Sequence, residues 1–64
     1  MMLAIKYTVK MRTSPSSYLR TTYTGYSFRL AHLNIDSLIN SPMVKELYLY
    51  ILDTAGYEDR ITLK

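Results

Sequence analysis

His32 and Asp36 stand four residues apart, so a single helical turn would bring imidazole and carboxylate into contact. A general base also needs a target and a pocket. One imidazole with one carboxylate falls short of a zinc ligand set. His32 is the only histidine in the chain, and it reads as a polar residue at a strand-to-helix junction. Asp53, Glu58 and Asp59 cluster near the end of the sequence. Hard cations take such oxygens, but the spacing is not that of an EF-hand loop. The cluster reads as a solvated acidic turn, or as a contact patch for a basic partner. Six serines and seven threonines offer hydroxyls, yet none sits in a G-x-S-x-G elbow. With no cysteine, thiolate nucleophiles, disulfides and thiolate metal sites are excluded. The residue types therefore predict a non-enzymatic protein with no cofactor and no metal.

What remains is positive charge beside tyrosine. Lys6, Lys10 and Arg12 recur at even positions and share the polar face of one predicted strand. Arg20 and Arg29 fall on or near its predicted neighbour, with Tyr18 and Tyr23 close by. These seven residues form the candidate binding face. A solvated sheet face with edge lysines that block aggregation is the plainest reading. A face of this composition also suits an acidic protein surface, since Tyr and Arg anchor interfaces. It suits nucleic acid as well, through phosphate neutralisation and base stacking. A net charge of +3 is modest for a nucleic-acid domain, and seven tyrosines supply contact area at low entropic cost. The leading expectation is an adaptor or inhibitor that binds an acidic protein partner. The alternatives are a nucleic-acid-binding module using the same face and a structural homo-oligomer subunit.

The elements that must carry this face follow from periodicity. Residues 2–12 alternate strictly: Leu3, Ile5, Tyr7, Val9 and Met11 against Ala4, Lys6, Thr8, Lys10 and Arg12. That is a half-buried antiparallel strand. Thr13 to Ser17, with Pro15 inside, is a loop. Residues 21–31 are rich in β-branched and aromatic side chains; Gly25 marks either a bulge or a Thr24-Gly25 hairpin turn, and one strand pairing back on the first is favoured. Asn34 is the predicted N-cap of a short helix, with Asp36 in its first turn and Leu33 stapled to Leu38. Asn40-Ser41-Pro42 stops it. Residues 43–52 fit either a helical face or a strand; the apolar, aromatic run 47–52 favours a central strand at about 46–53. A turn at 53–56 and a strand from Arg60 to Lys64, with Ile61 and Leu63 inward, complete the chain.

This order, ββαββ, predicts a single small α+β domain over residues 1–64: a mostly antiparallel sheet with one short helix on one face. Leu49-Tyr50-Ile51-Leu52-Asp53-Thr54-Ala55-Gly56 resembles the strand and D-x-x-G turn of Ras-like small GTPases. The resemblance covers eight residues. The G-x-x-x-x-G-K-[ST] loop and the guanine-reading motif are missing, and Tyr57 replaces the water-orienting glutamine. No residue role is carried over from it.

Size and charge set the remaining expectations. The apolar area that a 7.5 kDa chain can bury is worth on the order of 100 kcal/mol, and ordering its residues costs nearly as much. The balance predicts a homo-oligomer or a tight partner. No apolar run reaches the ~20 residues of a membrane helix, and Lys6 interrupts the N-terminal apolar stretch too early for a signal-peptide core. A cytoplasmic protein is expected. In style, though by no motif, the chain looks like the accessory proteins of phages and mobile elements. Its charge is split: residues 1–35 hold five bases and no acid, while residues 36–64 hold three bases and five acids.

Overall fold

The computed structural model describes residues 4–64. Strand β1 runs Lys6–Arg12, β2 Arg20–Gly25, helix α1 Phe28–Ile39, β3 Glu46–Leu52 and β4 Glu58–Thr62. The four strands form one antiparallel sheet in the order β2-β1-β3-β4. The fold is thus a small α+β domain in ββαββ order. β2 and β3 both run against β1 and so parallel to each other. A connection between parallel strands must cross the sheet, and α1 makes that crossing.

The first strand starts later than its alternation suggests. Pairing ends at Lys6↔Leu52 and Tyr7↔Gly25 because β3 turns away at Asp53 and β2 ends at Gly25. Ala4 and Ile5 therefore precede the strand, and residues 2 and 3 of the expected strand lie outside the described residues.

The main departure from expectation is the segment 26–31. Period-two alternation predicts strand there, but the chain turns into helix at Phe28. The cause is local. Tyr23 folds its ring back over Gly25, and its hydroxyl accepts the Ser27 backbone N–H at 3.2 Å. A side chain at residue 25 would meet that hydroxyl at 2.6 Å, so glycine is required for the approach. Ser27 then caps α1, its Oγ accepting the Leu30 N–H at 3.1 Å. Asn34, the expected cap, lies inside the helix, where its Oδ1 accepts a hydrogen bond from Thr22 at 2.6 Å. Asp36 lies in the last turn, and Leu33 is exposed on the outer face. The helix ends at Asn40 as expected.

One face of the sheet meets α1. Val9, Ala31, Val44, Leu47 and Leu49 are buried there, with Tyr7, Met11, Tyr23, Ile35, Leu38, Ile39, Ile51 and Leu63 packed around them. The helix lies over β1, β2 and β3 and does not reach β4. Ile61, expected inward, consequently remains 44% exposed, while Leu63 reaches the core. The last strand spans Glu58–Thr62 rather than 60–64.

Candidate interaction face

The sheet face turned away from α1 carries the alternate residue of every strand. Register brings Lys6, Thr8, Lys10 and Arg12 of β1 beside Leu52, Tyr50, Tyr48 and Glu46 of β3. Thr24 and Thr21 of β2 flank one side, opposite Thr8 and Lys10. Glu58, Arg60 and Thr62 of β4 flank the other, opposite Leu52, Tyr50 and Tyr48. α1 packs on the opposite face, and Tyr48 and Tyr50 on this one are half-buried. It holds four cations against two carboxylates.

Tyr48 and Tyr50 form its aromatic centre, with ring centroids 6.4 Å apart. Each ring carries a cation. Lys10 Nζ lies 5.0 Å above the centroid of Tyr50, and the Arg60 guanidinium 5.1 Å from that of Tyr48. Such pairs contribute about 0.5–1 kcal/mol each at exposed sites and hold the side chains in place. At one end Arg12 Nε lies 3.5 Å from Glu46 Oε2. Tyr48 donates its hydroxyl proton to Glu46 Oε1. That hydrogen bond, with partial burial and the carboxylate charge, raises the Tyr48 phenol above its ordinary value. Arg12 Nε is shielded from solvent yet makes no hydrogen bond of its own.

Of the seven residues predicted to share a face, Lys6, Lys10 and Arg12 do so. Arg20 stands opposite Met11, on the helix side of the sheet. A register shift between Val9 and Lys10 reverses the alternation of β2 and puts it there. Tyr23 packs against the core, where its hydroxyl serves the helix start. Tyr18 sits in the β1–β2 loop, 90% exposed. Arg29 is exposed on α1 and not on the sheet. In their place stand Tyr48, Tyr50 and Arg60, from the acidic half of the chain. Their signal was present: 48, 50 and 52 share one parity of a strand whose other parity, 47, 49 and 51, is the apolar set.

The other clusters have local roles. His32 Nε2 lies 3.3 Å from Asp36 Oδ2 on the helix surface, the contact their spacing allows. The Asp53 carboxylate accepts the N–H groups of Ala55 and Tyr57, both at 2.9 Å, and so shapes the β3–β4 turn. Gly56 adopts φ +92° there. Among the described residues, no helix is long and apolar enough to cross a membrane. The chain matches no known protein family, no curated protein and no solved structure.

Proposed function

We propose that this chain is a non-enzymatic interaction module whose open sheet face binds an acidic protein surface. The observation that carries the reading is the uncovered row of Tyr48 and Tyr50, with Lys10 and Arg60 held over the rings and Lys6 and Arg12 at the ends. Cations held in place lose little freedom on binding, and Tyr with Arg is the composition of energetic anchors. Docking there would act by steric and electrostatic blocking, as an adaptor or inhibitor does. One feature favours protein over nucleic acid: the cations cover ring surface that a base would stack on.

The test compares a poly-glutamate peptide with a single-stranded oligothymidylate of equal charge, by fluorescence anisotropy at low salt. The reading predicts tighter binding of the peptide. Tighter binding of the oligonucleotide would replace it with the nucleic-acid alternative, and binding of neither would overturn both.

A separate observation favours self-association through another surface. The inner face of β4 is left uncovered by α1, with Ile61 exposed on it. This face lacks the excess cations that make the open face repel its own copy. A homo-oligomer formed there would leave the open face available to its partner.

A further inference from the structure

We propose that Arg12 and Tyr48 form a carboxylate-binding subsite on the open face, occupied in the free chain by Glu46. An aspartate or glutamate of the partner takes the place of Glu46 on binding. The inference rests on the acidic-surface reading above and names the point at which that surface is gripped.

Glu46 is held from both sides. Its Oε1 accepts the Tyr48 hydroxyl, and its Oε2 faces Arg12 at 3.5 Å. Arg12 and Glu46 are direct cross-strand partners. The backbone beneath is fixed as well, since the Lys45 N–H donates to the Arg12 carbonyl at 2.8 Å. Two donors from adjacent strands therefore converge on one carboxylate in a rigid frame. The present occupant serves one donor poorly. A charge-assisted N–H···O bond to a carboxylate closes to about 2.7–2.9 Å, and Arg12 Nε, hidden from solvent, has no such bond. Glu46, tethered to the first position of β3, gives one oxygen to the phenol and leaves the other 3.5 Å from Arg12 Nε. A carboxylate from a partner is not so tethered and can take the bidentate geometry.

Release of Glu46 is cheap. Its side chain is one-third exposed, its ion pair with Arg12 is weakly held, and the Tyr48 hydrogen bond it gives up is remade to the incoming carboxylate. Once displaced, its charge returns to water. Glu46 then acts as a resident competitor: it lowers affinity for any single anion and reserves the site for a surface whose other acids engage Lys10, Lys6 and Arg60 at the same time.

The experiment measures affinity of the full chain for a poly-glutamate peptide in wild type, Glu46→Gln and Glu58→Gln, with folding verified by circular dichroism. Glu58 lies on the same face but at the far end of the register, opposite Leu52. Both substitutions add the same net charge, and only one removes the competitor. The proposal predicts that Glu46→Gln tightens binding by roughly threefold to tenfold and Glu58→Gln by less than about twofold. It also predicts that the gain vanishes when Arg12→Met is combined with Glu46→Gln. Equal gains from the two glutamines, or a gain that survives loss of Arg12, would overturn it. If Glu46→Gln does not fold, Glu46→Ala carries the same prediction. A wild type that binds the peptide with no improvement in E46Q sinks the subsite alone. Failure of every variant to bind the peptide sinks the acidic-surface reading with it.

Discussion

Tyr48 is the residue whose chemistry the fold changes most. Its phenol donates to a carboxylate that disfavours the phenolate, so its ionisation is pushed upward. An ultraviolet titration of the seven tyrosines should show Tyr48 ionising late, and Glu46→Gln should bring it back toward the others. A titration unchanged by that substitution would contradict the hydrogen bond. The linkage has a definite sign. A folded-state value above the unfolded one stabilises the fold below the ordinary tyrosine range, and the contribution is lost as pH rises through the folded value. At neutral pH it is fully present. Ser27 is the other residue with a separable effect. Ser27→Ala removes the acceptor for Leu30 N–H and should lower the urea midpoint by an amount worth about 1 kcal/mol, at unchanged slope. At this scale the sequence was only partly legible. Alternation placed Lys6, Lys10 and Arg12 together because a strand's two faces follow from its period. It could not place Arg20 or Tyr23, because neither the irregularity in the pairing of β2 with β1 nor the return of the Tyr23 ring over Gly25 is written in the alternation. Whether Tyr48 and Tyr50 are core or contact stayed open, since a run apolar on both faces does not say which side is covered.

Among the elements, α1 shows where two periods compete. Tyr26, Phe28 and Leu30 alternate, but Phe28, Ala31, Ile35, Leu38 and Ile39 also recur at helical spacing. The helical set is longer, and its Ala31 and Ile35 meet the sheet, so the helix wins. A twelve-residue helix is marginal alone and depends on that docking. The docking in turn depends on Leu47 and Val9 beneath it, both fully buried. Leu47→Ala should cost about 2–5 kcal/mol, enough to unfold much of a population with the stability of an ordinary domain. Thr62→Ala, on an exposed edge, should stay within about 0.5 kcal/mol. Parallel loss of the denaturation transition in both variants would show that the core lies elsewhere. The sheet edges are guarded by different means: β4 carries Glu58, Asp59 and Arg60, and β2 carries its register shift. Both devices discourage strand addition at the edges.

The whole molecule rearranges the charge that the linear sequence splits. The basic half-chain supplies Lys6, Lys10 and Arg12, and the acidic half supplies Arg60, both tyrosines and the two carboxylates between them. The ββαββ order and antiparallel pairing could be read from pattern: β1 alternates strictly, and the apolar, aromatic run of β3 marks a central strand. The strand order could not, since nothing local says that β3 inserts between β1 and β4. That insertion is what brings Tyr48 and Tyr50 beside Lys10 and Arg60. It also leaves β4 beyond the reach of α1. Light scattering at micromolar concentration should therefore give a multiple of the 7.5 kDa chain mass, and Ile61→Lys should return the monomer while keeping the fold. A wild-type monomer would refute self-association on that surface. The central claim is that the cations over Tyr48 and Tyr50 bind an acidic surface. Calorimetric titration of wild type and the Lys10→Glu/Arg60→Glu double variant with poly-glutamate, at 50 and about 300 mM salt, tests it most directly. Binding that weakens with salt and disappears in the folded double variant is the predicted result; binding that persists in the variant would contradict it.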